Sequence, residues 1–191
     1  LSDEIYSRQI YDGKEMPTFF NYPDLQHRLI VLDGWSKAYA MTGWRMGYII
    51  SEHAEAMHQV IKMQYYIAAC SNDAMQHAIL ATIEQASDYP EMIAAEFKQR
   101  RDLIVDRLNA MPGVECHKPQ GAIYVFPKVT VPGMTSQELA MALLNDGVLC
   151  SPGSAFGPSG EGHLRFAYTI SQADISRGMD IVEATLNRLL S

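Results

Sequence analysis

The sequence predicts an α/β first part and a compact α+β second part, separated by one long helix. Three observations lead there. Short β-branched runs near the start alternate with loops and helical periodicity. One helical pattern then runs uninterrupted for about twenty residues. After Gly113 the composition turns to short strands, glycine-rich turns and two amphipathic segments.

In the first part, Leu29 to Asp33 (LIVLD) is apolar, bounded by polar residues, and reads as a buried strand. Gly47 to Ser51 (GYIIS) reads as a second strand, and Ser2 to Tyr6 as the end of a third. Tyr11 to Pro23 holds Gly13, Pro17, Asn21 and Pro23 and reads as loop. Ala54, Met57, Val60 and Ile61 recur at helical spacing. After a break at Ser71-Asn72-Asp73, which can cap a helix, Met75, Ile79 and Ile83 do the same. Pro90 opens the long helix and Pro112-Gly113 stops it. These boundaries divide the chain into residues 1–88, a connecting helix 89–112 and a second domain 113–191.

The second part reads as strands at Val114 to Cys116 and Ala122 to Pro127, then an amphipathic helix from Thr135 to Asp146. Short strands at Val148 to Ser151 and Leu164 to Thr169 flank the glycine-rich loop Pro152 to Gly162. Ser171 to Leu190 is a terminal helix with Ile175, Met179, Val182 and Leu186 on one face.

Composition narrows the function classes. The 191 residues are 48% hydrophobic and 19% charged, ordinary for a globular protein. A formal net charge of −7 argues against a nucleic-acid partner, which needs a basic face. No apolar run reaches the roughly 20 residues of a membrane helix. No signal peptide is expected. Cys70, Cys116 and Cys150 form no CxxC pair or zinc pattern and fit reduced thiols of a cytoplasmic protein. The six histidines show no metal-ligand spacing, so no metal is expected. The methionines are expected mostly at core-facing helical positions, and Arg100-Arg101 on an exposed helix face.

The strongest chemical signal runs from Ser36 to Gly47 (SKAYAMTGWRMG). Lys37 follows a strand, and Arg45 stands eight positions later, just before another strand. A nucleophilic lysine needs a rigid element and shielding from water, so that its amine is neutral often enough to attack a carbonyl. An arginine fork matches phosphate oxygens. Taken singly, such residues are most often solvated surface charges.

The whole string resembles the Schiff-base segment of class I and II pyridoxal-phosphate (PLP) aminotransferases. The resemblance implies that Lys37 bonds the cofactor, that Arg45 holds its phosphate and that Ser36 lies beside that phosphate. Many members carry a serine three positions before the lysine; here it is Gly34. Asp3-Glu4-Ile5-Tyr6 resembles the family's D-x-x-Y. By position, Asp3 would keep the pyridine nitrogen protonated and Tyr6 would place its hydroxyl near the ring oxygen. The loop Pro152 to Gly157, followed by Gly162 to Ala167, resembles the family's C-terminal P-G-x-x-F-G…R segment, and implies that Arg165 clamps the substrate carboxylate. That loop lacks the Gly-Lys-Ser/Thr of a P-loop and precedes a strand rather than a helix.

The family fold implied is the C-terminal part of a fold type I PLP-dependent transferase large domain plus a small α+β C-terminal domain. The activity implied is amino transfer between an L-amino acid and a 2-oxo acid, in a homodimer. Another PLP enzyme on this scaffold (a C–S lyase or cyclopropane-carboxylate synthase type), or a non-catalytic aminotransferase-like fragment or regulator domain, stays open. The family's glycine-containing phosphate loop and N-P-x-N-P-x-G segment do not occur here. An N-terminal part is therefore expected beyond Leu1, and the 191-residue chain alone is expected to bind PLP poorly.

Overall fold

The apolar run ending at Asp33 forms the middle strand of a small sheet in the computed structural model, which describes residues 1–191. Strand β2 (Val31–Gly34) pairs parallel with β1 (Ser2–Asp3) and antiparallel with β3 (Gly47–Ile50), in the order β1-β2-β3. Val31 on β2 is buried. Between β2 and β3 lies a single helical turn, α1 (Trp35–Ala38). The stretch expected as loop from Tyr11 to Pro23 contains a 3₁₀ turn at Phe19–Asn21, and a second follows at Pro23–Arg28. Proline at the first position favours such a turn.

Helix α2 (Ala54–Ala68) starts at His53, whose ring accepts from the Ala56 N–H. Helix α3 (Asp73–Gln85) starts at Asn72, whose side chain accepts from the Met75 N–H, within the Ser71–Asp73 break read as a cap. Its Ile79 is buried. Helix α2 buries no residue, and Ile61, Met63, Tyr65, Tyr66 and Ile67 are exposed. Periodicity locates an apolar stripe but cannot say what covers it. Helix α4 (Tyr89–Asn109) is the long helix. The chain divides into two units, Leu1–Ala95 and Glu96–Ser191, with the boundary inside α4.

The second unit is built on three strand pairings. Strand β4 (Val114–Glu115) pairs with β6 (Lys128–Val129), and β8 (Leu164–Ala167) lies between β5 (Tyr124–Val125) and β7 (Ser151–Pro152). Strand β6 lacks the alternation that would reveal it, since two residues are too short a run. Helix α5 (Ser136–Asn145) begins with a capping box between Thr135 and Glu138. Helix α6 (Gln172–Leu190) buries Ile175, Met179, Val182 and Leu186, the face expected of it. Leu108, Leu143, Leu164, Tyr168 and Leu186 form the centre of this core.

Two packing expectations fail. Only Met111 and Met179 of the eleven methionines are buried, because most helices carrying them leave flanks open. Arg101 is not on an exposed face: it is 0% exposed. Its guanidinium donates to the Pro119 carbonyl at 2.9 Å and to Asp102 Oδ1 at 2.8 Å. Asp102 also pairs with Lys98 at 2.8 Å and Lys118 at 2.7 Å. Burial of a cation is tolerable where a carboxylate and a carbonyl replace its water.

Candidate active site

Strand β2 and the α1 turn bring Lys37 to the edge of the first sheet. Its Nζ lies 5.8 Å from the centroid of the Tyr6 ring. Asp3, Ser36, Lys37, Thr42 and Arg45 line one cavity of about 400 Å³, together with Ile5, Leu32, Asp33, Met46 and Gly47. Four expected site residues thus share a single hollow, and the fifth of this unit, Tyr6, sits against the lysine. An adjoining hollow of about 590 Å³, between β3 and α2, shares Leu32, Asp33, Arg45 and Gly47 with it.

The segment from α1 to β3 enters and leaves through left-handed residues, Ala40 at φ 53° and Arg45 at φ 56°. Such conformations are uncommon for residues with a side chain and cluster at functional sites. Arg45 Nη1 donates to the Thr42 carbonyl at 2.8 Å, which closes this turn on itself. Gly43 has no atom near the place of its missing Cβ, so the turn is open on that side.

Asp33 is a site residue that the motifs do not reveal. Its Oδ1 accepts from the Gly34 N–H at 2.7 Å, and its Oδ2 accepts from Tyr48 OH at 3.1 Å and Ser7 Oγ at 3.3 Å. Partial burial, then the negative charge and hydrogen bond of Asp33, raise the Tyr48 phenol above its ordinary value. The signal available was an acid inside an otherwise apolar strand, four positions before Lys37.

Arg165 lies in the second unit, on β8. Its guanidinium carbon is 4.6 Å from the Tyr124 ring centroid and 4.5 Å from that of Phe156. Nη2 donates to Ser151 Oγ at 3.4 Å. The ring of Phe126 meets Phe156 edge-on at 5.9 Å and stacks on His163 at 5.1 Å. The loop that carries Phe156 is locked to the start of α5. Glu161 accepts from the Ser136 N–H at 2.6 Å and from Ser136 Oγ at 3.0 Å. These bonds, led by the one from the Ser136 N–H, hold the Glu161 carboxyl below its ordinary value. With its proton given to Glu161, Ser136 Oγ accepts from Ser154 Oγ at 3.1 Å. Gly153 and Gly160 pass back to back, so that a Cβ on Gly153 would sit 2.1 Å from the Gly160 carbonyl oxygen.

The sequence model of the family described as "Aminotransferase class I and II" matches residues 1–182. The chain belongs to that family. This aminotransferase-family chain is 38% identical over 184 residues to a probable N-acetyl-LL-diaminopimelate aminotransferase of Bacillus subtilis, covering 96% of this chain and 46% of the relative. It is 36% identical over 190 residues to a probable aspartate aminotransferase of Methanocaldococcus jannaschii, covering 96% and 48%. The solved aromatic aminotransferase of Pyrococcus horikoshii superposes with a TM-score of 0.92 at 33% identity, over 98% of this chain and 50% of that one. The solved aspartate aminotransferase of Rhizobium meliloti gives 0.89 at 31% identity, over 97% and 49%. The mixed α/β fold is that of these proteins, and the chain spans about half the length of the curated relatives it matches.

No helix of the chain is long and apolar enough to cross a membrane. Cys70, Cys116 and Cys150 are all free. Burial raises the thiols of Cys116 and Cys150 to about 11, so neither is a poised nucleophile at neutral pH.

Proposed function

We propose that the protein of which this chain forms part is a PLP-dependent aminotransferase, with Lys37 as the residue that bonds the cofactor. The observation that carries the reading is the shared cavity of Asp3, Ser36, Lys37 and Arg45. Its volume of about 400 Å³ lies within the range of small-molecule sites, and its donor set fits PLP. Arg45, Ser36 and Thr42 offer a guanidinium and two hydroxyls for a phosphate. Asp3 offers a carboxylate for a protonated ring nitrogen, and Lys37 an amine for an aldehyde. The left-handed backbone of Arg45 further supports a functional turn there.

PLP, when bound, supplies an electron-accepting ring. The chain's own residues do the rest. Asp3 holds the proton on the ring nitrogen, where its negative charge favours the protonated form. Tyr6 is assigned the hydroxyl beside the ring oxygen. The Lys37 amine, once released, moves the proton of the substrate Cα as general base and acid. Arg165 binds the α-carboxylate of the amino acid or 2-oxo acid through its planar fork. A homodimer and a cytoplasmic location are proposed with the activity. The exposed apolar residues of α2 support association with further protein.

The test uses the whole protein. Borohydride reduction in the presence of PLP should leave an adduct on the Lys37 peptide, and Lys37→Ala should abolish it. An adduct that persists in Lys37→Ala removes the residue from this role. Amino transfer to 2-oxoglutarate supports an aminotransferase, whereas pyruvate and ammonia from cysteine-type substrates would make the protein a C–S lyase.

A further inference from the structure

Two tight turns and two side-chain bonds tie the Asp3–Tyr6 segment to the strand and turn that carry Lys37. The Ser7 N–H donates to the Glu4 carbonyl at 2.8 Å and the Gln9 N–H to the Tyr6 carbonyl at 2.9 Å, so residues 4–9 curl back on themselves. Ser7 Oγ then reaches Asp33 Oδ2 at 3.3 Å, and Gln9 Nε2 donates to the Lys37 carbonyl at 3.0 Å.

Gln9 is 1% exposed, and its Oε1 is the one buried side-chain oxygen or nitrogen that has no hydrogen-bond partner. Flipping the amide would set Oε1 against the Lys37 carbonyl, two acceptors face to face, so the orientation follows from chemistry. An orphaned buried acceptor is costly, and an apolar side chain of the same length would remove that cost. The bond to Lys37 is what the glutamine alone provides.

Lys37 needs such a bond. Helix α1 is four residues long, too short for most of its carbonyls to find partners within it. Besides Gln9, the Lys37 carbonyl meets the Ala40 N–H at 3.4 Å and the Tyr39 N–H, which it shares with the Trp35 carbonyl.

We infer that Gln9 is a positioning residue for Lys37: it fixes the lysine's backbone, and with it the direction in which the amine enters the cavity. This rests on Lys37 being the cofactor-bonding lysine. The charged and titratable groups around that amine are Asp3, Asp33 and Arg45, which line the same cavity, and Tyr6, whose ring lies against Nζ. The Gln9 side chain hydrogen-bonds none of them, so a shift in an apolar variant is assigned to the lysine's placement.

The experiment uses the whole protein with PLP, in the variants Gln9→Met and Gln9→Leu. Both remove the donor and the orphaned acceptor together. The melting temperature is expected to hold or rise. The pH midpoint of the visible absorbance change of the lysine–PLP adduct should shift by roughly one unit, the size of one lost neutral hydrogen bond. The kcat should fall about tenfold with KM unchanged, as a small misplacement of a reacting group does. Gln9→Glu keeps the size but presents an acceptor to the carbonyl when ionised, and should shift the midpoint at least as far. It decides the matter if the apolar variants do not fold. A folded variant with the wild-type midpoint and kcat overturns the inference. Lys37→Ala is measured alongside: an adduct surviving in it sinks the reading of Lys37, whereas adduct loss there with wild-type behaviour in Gln9→Met sinks only the role of Gln9.

Discussion

Gly34 stands directly across the β2–β3 ladder from Gly47, and a Cβ on Gly34 would lie 2.9 Å from the Gly47 Cα. It would also meet the Met46 carbonyl oxygen at 2.8 Å. The family position that often holds serine cannot hold one here without moving β3. The absence of a hydroxyl side chain at this position goes with how closely the two strands approach beside the cavity.

Gly34→Ala is expected to destabilise the protein by about 2 kcal/mol, the usual cost of overpacking against backbone. Chemical denaturation should show it as a lower midpoint with an unchanged slope. PLP affinity should fall with it, because Arg45 and Met46, which lead directly into β3 and line the cavity, would move with that strand. A Gly34→Ala protein of wild-type stability would mean the strands are not this close.

Arg165 is placed by two aromatic rings and one hydroxyl, which orient its fork for the proposed role of binding a carboxylate. Arg165→Lys should lower kcat/KM by about a hundredfold, since an ammonium cannot reproduce a bidentate, ring-stacked contact. Phe156 is 52% exposed, so its cation–π contribution belongs to the weaker class. Phe156→Ala should raise KM only roughly threefold. Steady-state kinetics on an amino acid and on its 2-oxo acid check both. Equal effects of the two variants would contradict this division of labour.

Asp102 gathers Lys98, Arg101 and Lys118 around one carboxylate. Partial burial raises its pKa, but the hydrogen bonds from Lys118, Lys98 and Arg101 outweigh this and hold the carboxyl well below the usual range. A folded-state value below the unfolded one stabilises the protein above the unfolded value, near pH 4. That contribution declines as the pH falls further and is gone once the folded carboxyl is protonated. Asp102→Asn should cost about 2 kcal/mol at neutral pH, allowing for partial solvent screening. Its difference from wild type should shrink in acid. A constant difference from pH 7 to pH 2 in thermal melts would show that the charge is not what matters.

That Asp3, Ser36, Lys37 and Arg45 would line one cavity was legible in the linear order, because they lie in two short strings that resemble segments of one family. The buried face of α6 was legible too, since a helix of nineteen residues repeats its apolar stripe several times. Tertiary structure alone decided the rest. Arg101 follows Arg100 in the sequence, yet Arg101 is fully buried, because only the fold brings the Pro119 carbonyl and Lys118 to that side of α4. Gln9 and Asp33 acquire their places through bonds to residues 28 and 26 positions away. Periodicity reports what one element buries. A polar side chain reaching across elements leaves no period, so its partner becomes known only when the chain has closed around it.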